Sequence, residues 1–272
     1  MMMIRIREAA VAGSFYPAEP GALRATVLRL LDQVPGADGP APVALVVPHA
    51  GYVYSGPVAA TAYARLRPFR ERYRRVVLLG PAHCVAFEGL ALSAAGAFRT
   101  PLGDVAIDGA ATAALDHPAV RSFEAAHAPE HSLEVQLPFL QCVLDSFTLV
   151  PLVVGQAAPD TVAEVIEQLW DGPETLIVVS TDLSHYLAYD AARRHDSGTC
   201  RAVESLDHSR IGHSNACGAA PLRGLLVAAR RRGLRAVTLD LRNSGDTAAG
   251  RGRVVGYGAW MLIEETQCEQ AA

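Results

Sequence analysis

The feature that most constrains the fold is a regular alternation of short apolar runs with stretches of helical periodicity. The apolar runs are Val43–Val47, Val76–Leu79, Phe147–Val154, Leu176–Val179, Ala236–Leu241 and Val254–Trp260. Runs that are apolar throughout are typical of strands buried on both faces of a mostly parallel sheet. Between them, Leu, Val and Ala recur at helical spacing in Gly21–Gln33, Pro57–Leu66, Ser132–Leu144, Thr161–Leu169, Ala191–Leu206 and Pro221–Arg232. This order predicts an α/β fold with helices on both faces of the sheet.

One segment, Leu90–Ile107, departs from this pattern. Turn-forming residues at Phe98–Asp104 lie between two short apolar runs, which predicts a hairpin or meander at one sheet edge and therefore a mixed sheet. The linker-like stretch Gln33–Pro42 is rich in Pro and Gly, but it is short and close to the start of the chain. We therefore expect residues 1–272 to form one domain.

Charge and composition narrow the range of partners and locations. The net charge is −4 and no basic block is present, which argues against nucleic acid as the main partner, since phosphate binding needs clustered Arg or Lys. No uncharged apolar stretch of about 18 residues and no apolar leader segment occur, so we expect neither a membrane span nor a secretion signal. The five cysteines are scattered and contain no CxxC pair, which indicates a reducing compartment and predicts a cytoplasmic protein.

Missing residues and motifs exclude several classes of enzyme. The sequence contains no lysine, so all 24 basic residues are arginine, and Schiff-base chemistry or a P-loop lysine is excluded. No GxGxxG loop follows any predicted strand, which argues against a dinucleotide-binding site. No GxSxG elbow occurs, which argues against an α/β-hydrolase triad.

Four predicted strands run directly into polar turns that contain Gly, Pro or Ser. These turns are Pro48–Tyr52, Gly80–Cys84, Ser180–His185 and Arg242–Thr247. In open α/β sheets, ligands bind outside the carboxyl ends of the strands. If the four strands are parallel neighbours, their turns bring His49, His83, His185, Asp182 and Asp246 to one crevice.

Each of these residues also has an ordinary structural explanation. A lone histidine after a strand is usually a loop residue with a local partner, and Asp182 or Asp246 could cap a following helix. Two histidines in equivalent positions on two strands are harder to explain in that way. His131 lies in Glu130–Glu134, which opens a predicted helix, and it could face the same crevice. We expect Cys217 to pack near the pocket floor, and no cysteine to act in covalent catalysis.

Two imidazoles and one carboxylate on one side of an ion are the ligand set of non-haem Fe(II) oxygenases. Zinc with the same ligands and a bound water would instead support hydrolysis. The residue types leave both ions open.

The motifs together resemble the Memo family over nearly the whole chain. They are Ala12–Pro17, Pro48–Tyr52, Gly80–His83, Phe98–Leu102, Glu130–Glu134, Ser180–His185, Ala216–Gly218 and Val254–Tyr257. Each motif is weak alone, but their shared order is specific. The resemblance implies a three-layer α/β/α fold with a mixed central sheet, similar to that of class III extradiol ring-cleavage dioxygenases.

The resemblance also implies a ligand set. His49 and His83 match the two metal-binding histidines, and Asp182 and His185 match residues that line the same pocket. Animal members place a cysteine as third ligand, for which the nearest residue here is Thr247. We expect the neighbouring Asp246 to take that role. With this ligand set, the resemblance implies Fe(II) as the ion, with zinc or copper as alternatives.

The resemblance leaves several functions open. The first is an iron-dependent redox enzyme or dioxygenase acting on a small substrate, with His185 or His131 as acid or base and Asp182 as an orienting residue. The alternatives are a non-catalytic metal- or peptide-binding protein and a zinc-dependent hydrolase. Bacterial and archaeal relatives resemble one component of a set that includes a radical-SAM-type protein, which suggests such a partner. Ring cleavage rests on analogy of fold, and fold alone does not carry activity.

Overall fold

The computed structural model describes residues 5–36, 39–248 and 250–265. The strands are β1 Ile6–Arg7, β2 Ala44–Val47, β3 Arg75–Pro81, β4 Leu90–Leu92, β5 Ala97–Thr100, β6 Gly103–Ala106, β7 Val120–Ser122, β8 Thr148–Val154, β9 Thr175–Ser180, β10 His185–Leu187, β11 Leu234–Asn243 and β12 Val254–Glu264. The α-helices are α1 Pro20–Asp32, α2 Tyr52–Tyr63, α3 Gly109–Ala114, α4 Glu124–His127, α5 Leu137–Val143, α6 Pro159–Leu169, α7 Tyr189–Glu204, α8 Ala219–Arg231 and α9 Ser244–Thr247. Single 3₁₀ segments occupy Ala64–Phe69, Glu134–Gln136 and His208–Arg210.

The large sheet is mixed, as predicted. Its strands follow the order β11-β12-β2-β9-β3-β8-β4-β7, and β10 also pairs with the start of β12. The central row β2, β9, β3 and β8 is parallel. The strands β12 and β4, which border this row, run antiparallel to it. The carboxyl ends of the four central strands therefore share one edge of the sheet, where a site can form.

Successive residues of the central strands face two separate cores, which makes the fold three-layered. In β3, Val76 and Leu78 pack in the core that contains α1, α2 and α5. Val77 and Leu79 pack on the opposite face, in the core that contains α6 and α8 together with α7. This two-sided burial explains why the central strands read as continuous apolar runs rather than alternating ones. The three-layer α/β/α prediction is confirmed.

The hairpin expected in Leu90–Ile107 forms, but mostly outside the large sheet. Strands β5 and β6 pair antiparallel, and β5 also pairs parallel with the N-terminal strand β1 in a separate three-stranded sheet. In this segment β4 joins the large sheet, by pairing with β8. The sequence could not indicate this, because the pairing partner of β5 lies about ninety residues earlier in the chain.

Two of the predicted helices begin or end at residues other than those expected. The helix expected at Pro57–Leu66 begins at Tyr52, so Pro57 lies inside it, and the chain tightens into a 3₁₀ turn after Tyr63. The helix expected at Ser132–Leu144 forms its α-helical part only from Leu137, after a 3₁₀ turn. In the described part of the chain, every helix is too short or too polar to cross a membrane.

Candidate metal centre

Three histidines meet at the carboxyl end of the central strands. His49 follows β2, His83 follows β3, and His131 lies in the loop before the 3₁₀ turn Glu134–Gln136. One possible ligand nitrogen from each ring lies within 4.8 Å of those from the other two. The ring centroids of His83 and His131 are 4.7 Å apart, and those of His49 and His83 are 5.1 Å apart. We call these three residues the His cluster. Among the described residues, it is the group of ionisable side chains placed to share a metal ion.

The ring of His49 is fixed by a buried hydroxyl. Ser180, the last residue of β9, donates its hydroxyl hydrogen to the carbonyl of Ser132 at 2.6 Å and accepts from the amide of Gln136 at 2.8 Å. The hydrogen of Oγ is thus already used, so Nδ1 of His49, 2.9 Å from Oγ, must be the donor. The lone pair of His49 therefore lies on Nε2, which is the nitrogen available to an ion.

The ring of His83 is fixed by a buried carboxylate. Glu130 is 2% exposed, and its two oxygens accept from Nδ1 and from the backbone N–H of His83 at 2.9 and 2.6 Å. The N–H groups of His131 and Ser132 also donate to Glu130, at 3.0 and 2.9 Å. Burial alone would raise the pKa of Glu130, but these hydrogen bonds, led by those of His83, lower it to about 2. A carboxylate that orients a ligand imidazole is the usual outer shell of a metal site.

The loop that carries His131 approaches β3 closely. A Cβ on Gly80 would lie 2.7 Å from Oγ of Ser132, so only glycine allows this approach. The Ser132 hydroxyl also donates to the carbonyl of Pro81 at 2.9 Å. Glycine at the end of β3 therefore serves packing and brings His131 beside His83.

A buried ion pair holds the same loop from the N-terminal side. Arg7 and Glu134 form this pair, with side-chain exposures of 2% and 0%. Glu134 also accepts from the hydroxyl of Tyr16 and from two backbone N–H groups, those of Ala10 and Val11, at 2.8 and 3.0 Å. We call residues 7–16, which carry these contacts, the N-terminal clasp.

The clasp also contacts backbone carbonyl groups near His131 and the ring of His131 itself. Arg7 donates to the backbone carbonyls of His127, at 3.1 Å, and of Glu130. The ring of Phe15 packs on the ring of His131 with centroids 4.8 Å apart. The ring of His131 is therefore held by packing against Phe15, while the backbone of its loop is held by hydrogen bonds.

The surroundings of His49 and His131 favour their neutral rings. Burial, followed by the neighbouring His83 and His131 rings, lowers the pKa of His49 well below its ordinary value of 6.5. Burial is also the main reason that the pKa of His131 is lowered. A neutral imidazole, with one nitrogen protonated and the other free, is the form that binds a metal ion.

Asp182 contacts the backbone of His49, and Cys217 contacts its ring. One oxygen of Asp182 accepts from the N–H groups of His49 and Ala50 at 2.8 and 3.3 Å. Burial raises the pKa of Asp182 to about 6, against the opposing effect of these hydrogen bonds. The sulfur of Cys217 is 3.3 Å from Nε2 of His49, and burial followed by the charge of Asp182 raises the pKa of its thiol to about 12. Cys217 packs at the pocket floor, as predicted, as a neutral thiol.

His185 lies at the side of the same crevice. Its Nδ1 is 2.8 Å from the carbonyl of Leu183, which can only accept, so Nε2 carries the lone pair. His185 acts electrostatically on both His49 and Asp182. The next residue, Tyr186, has a φ of 61°, and the pairing of β10 with β12 shifts register at this point. Positive φ in a bulky residue and a bulge are both features that redirect a neighbouring side chain at functional sites.

The structure does not bring Asp246 into the His cluster. Asp246 lies in the four-residue helix α9, and one of its oxygens accepts from the N–H of Asn243 at 3.1 Å in a capping box. The other accepts from the hydroxyl of Tyr189. The strand that leads to Asp246, β11, is separated from β2 by the antiparallel β12. The hydroxyl of Thr247 is buried without a hydrogen-bond partner among the described residues.

Of the residues that the sequence assigns to the crevice, His49, His83, Asp182 and His185 lie together. His131 lies beside His49 and His83, whereas Asp246 lies outside the His cluster. Glu130, Ser180 and Glu134 were missed as supporting residues. A signal for Glu130 existed, because a metal-binding histidine usually donates its second ring N–H to a carboxylate or a carbonyl, and Glu130 lies within one of the motifs that carry the candidate histidines.

The family model for Memo-like proteins matches residues 7–261 of this chain. Curated proteins of the same family are similar over almost their whole length. A MEMO1 family protein of Methanopyrus kandleri is 37% identical over 93% of this chain and 97% of its own. One from Archaeoglobus fulgidus is 35% identical, with the same coverage, and one from Aquifex aeolicus is 36% identical over 93% of this chain and 98% of its own.

A solved structure supports the fold independently. The crystal structure of an uncharacterized protein from Escherichia coli K12 superposes with a TM-score of 0.51. The match covers 82% of this chain and 100% of that one, at 14% sequence identity. At this identity the likeness concerns the fold alone.

Proposed function

This chain belongs to the family of Memo-like proteins, and on that premise we propose that it binds one divalent transition-metal ion at the His cluster and uses it to activate a small molecule. The observation that carries the proposal is the meeting of three imidazole nitrogens within 4.8 Å of one another. His49 and His83 each have Nδ1 engaged by an acceptor, so each presents Nε2. Three histidines that leave further positions open form a typical catalytic metal site.

The ligands in this proposal are His49, His83 and His131, and Asp246 is not among them. Catalytic metal sites typically have three protein ligands, with imidazole nitrogens at about 2.0–2.1 Å from zinc. The ring orientations set by Ser180 and Glu130 mean that small side-chain movements would bring the nitrogens onto one ion. The Cys217 thiol competes with an ion for the lone pair of His49 and has to turn away when the ion binds.

The ion would supply Lewis acidity or, if it is iron, redox chemistry at the open positions. The residues around it have separate tasks. Asp182 fixes the turn that carries His49 by accepting two backbone N–H groups. His185 presents an unblocked Nε2 beside the crevice, and in the proposal it exchanges a proton with the bound molecule as a general acid or base.

Fe(II) is the first candidate ion, and the support for it is the extradiol dioxygenase resemblance of the sequence. The activity would then be an oxidation or ring cleavage of a small chelating substrate. Zinc is the second candidate, because a set of neutral imidazoles without a carboxylate is the type used by catalytic zinc. A zinc ion would support hydrolysis instead. A non-catalytic binding role is the remaining alternative and predicts metal binding without turnover.

The experiment is metal analysis of protein purified without air, followed by reconstitution with Fe(II), Zn(II) or Cu(II). His49→Ala and His83→Ala are each expected to lower metal affinity by about tenfold or more, because each removes one of three ligands. Each reconstituted form is then tested for oxygen uptake with catechols and for ester or amide hydrolysis. Oxygen uptake limited to the iron form supports the redox function, and hydrolysis limited to the zinc form supports the second candidate.

A matched control is His208→Ala, which removes a histidine from the 3₁₀ turn His208–Arg210 on another part of the surface. It is expected to keep the metal affinity of the unaltered protein. Full metal affinity in both His49→Ala and His83→Ala would overturn the proposal.

We also propose that residues 1–272 act as one cytoplasmic domain. Both cores share the strands of one sheet, which supports a single unit. The thiols of four cysteines are free, which fits a reducing compartment; these are Cys84, Cys142, Cys200 and Cys217.

A radical-SAM-type protein remains the proposed partner, and co-purification of the two tagged chains from one host tests it.

A further inference from the structure

A second cavity opens beside the metal centre, on the face covered by α6 and α8. Its volume is about 1040 Å³, within the range that accommodates a small organic ligand. Much of its wall is made of glycine and alanine backbone, including Gly155 at the end of β8 and Ala219 and Ala220 at the start of α8. None of the three cluster histidines lines it. Cys217, which contacts His49, lies two residues before Ala219, so the two sites are neighbours.

Close packing of two helices brings their N-termini to this cavity. A Cβ on Gly224 of α8 would lie 2.3 Å from Cγ1 of Val162 in α6, so glycine is needed at the crossing. Helix α6 has 11 residues and α8 has 13, and no side chain caps either N-terminus. Thr161, in the first turn of α6, also lines the cavity. Pro159 and Pro221 have no N–H, and the N–H of Ala219 donates to the carbonyl of Ala216. The helix dipoles are therefore the main contribution of the two helices in favour of a negative group at this position.

The decisive side chain is Arg223. It lines the cavity and forms no ion pair with any described residue, and its Nε is fully buried without a hydrogen-bond partner in the described part of the chain. Arg223 as a whole is only partly buried, but its unpaired Nε is a charged donor that an anionic partner in the cavity would satisfy. Arg121 lines the same cavity and makes ring contacts with Phe87 and Phe123 rather than an ion pair.

Nearby acids do not neutralise these arginines. Asp160, in the first turn of α6, is paired with Arg231. Glu164, on the next turn, is 3.2 Å from His117. Glu88 lines the cavity, but it makes no ion pair among the described residues. Two guanidinium groups and two positive helix ends therefore face one carboxylate.

From this arrangement we propose that the cavity binds the phosphate group of a small phosphorylated molecule. Phosphate carries close to two negative charges and accepts hydrogen bonds on three oxygens, which matches two arginine side chains beside the positive ends of two helices. A carboxylate has one charge and two oxygens, and it would leave donors unused. The remaining volume accommodates the organic part of the ligand. The inference does not depend on the metal centre, because the two sites share no lining residue.

The test uses the full chain, freed of metal with a chelator that is then removed by dialysis. Binding of inorganic phosphate and of glycerol 3-phosphate is measured by isothermal titration calorimetry, with succinate as the carboxylate probe. We expect dissociation constants of about 1 mM or tighter for the two phosphates. Arg223→Gln should weaken both by about tenfold or more, since it removes a charged hydrogen-bond donor.

The matched control is Arg230→Gln, which removes the same charge from the last turn of the same helix. It should bind phosphate as the unaltered protein does. Circular dichroism melting confirms that Arg223→Gln is folded. Phosphate binding that Arg223→Gln leaves unchanged, no phosphate binding at about ten times the expected dissociation constant, or tighter binding of succinate would each overturn the proposal.

Discussion

Two polar turns that look alike in the sequence behave differently in the fold. The turn after β3 delivers His83 to the His cluster, where its ring and backbone are both tied to Glu130. The turn after β11 contains Asp246, whose carboxylate is used within its own short helix and by Tyr189. Both follow a strand that ends at the same edge of the sheet. An acidic residue at a strand end can therefore be held by N–H and O–H donors near it, as Asp246 is, and then stays out of a site that the same sheet edge forms.

The two regions also differ in the sequence separation of the residues that hold them by hydrogen bonds. The His cluster is held by contacts between residues more than forty positions apart, such as those of Ser180 with His49 and Ser132. The capping box of Asp246 joins residues three apart. We therefore expect substitutions around the His cluster to disturb both stability and metal binding, and substitutions around Asp246 to disturb local stability alone.

The largest loss of stability is expected at Glu134, which pairs with Arg7 of the N-terminal clasp. Glu134→Ala should lower the free energy of unfolding by about 3–5 kcal/mol, because it leaves the guanidinium of Arg7 buried without its carboxylate. Chemical denaturation of the metal-free protein measures this. A loss below about 1 kcal/mol would show that the pair does not hold the His131 loop.

Glu130→Gln should have the next largest effect, on the metal. Neutral glutamine cannot hold His83 with the strength of a carboxylate, so metal affinity should fall by about 10–100-fold. Competition titration against a chromophoric chelator measures it. Glu8→Gln, an exposed residue in an ion pair with Arg99, removes the same charge elsewhere and should leave affinity unchanged.

Glu130→Gln should also change how the stability of the metal-free protein depends on pH. The pKa of Glu130 is lowered from 4.5 to about 2 in the folded state. A lowered carboxylate pKa stabilises the fold above pH 4.5, and this stabilisation is lost as the pH falls toward 2. The stability difference between the unaltered protein and Glu130→Gln should therefore be constant above about pH 5 and shrink below it. Denaturation curves at several pH values measure the difference, and one that does not change with pH would contradict the assigned role.

In the turn after β11, which contains Asp246, we expect a substitution to change stability but not metal binding. Asp246→Asn should lower the free energy of unfolding by about 0.5–2 kcal/mol, the usual value of a helix cap. The measurement is denaturant unfolding of the metal-free protein. A larger loss would mean that Asp246 also supports the wider crevice.

The smallest effect on metal content is expected at His185. His185→Gln should leave metal affinity within about twofold, because the proposal makes His185 a proton carrier rather than a ligand. If His185→Gln lost its metal, His185 would become a ligand and the proposed division of roles would fail.

Much of the fold was predictable from local pattern, and the site was predictable where it depended on strand ends. The central strands were found within two or three residues because continuous apolar runs signal burial on both faces. His49 and His83 followed from the rule that sites form at carboxyl ends of parallel strands. His131 as third cluster member was not predictable, because its place depends on Gly80, on the Arg7 to Glu134 ion pair, and on contacts across much of the chain.

The identity of the third ligand separates the His cluster most directly from a site completed by Asp246. Metal affinity is measured by chelator competition for the unaltered protein, His131→Ala and Asp246→Ala, with the same ion and under anaerobic conditions. We expect a fall of about tenfold or more for His131→Ala and a change within about twofold for Asp246→Ala. Unchanged affinity in His131→Ala together with a large loss in Asp246→Ala would contradict this expectation and return the carboxylate to the metal.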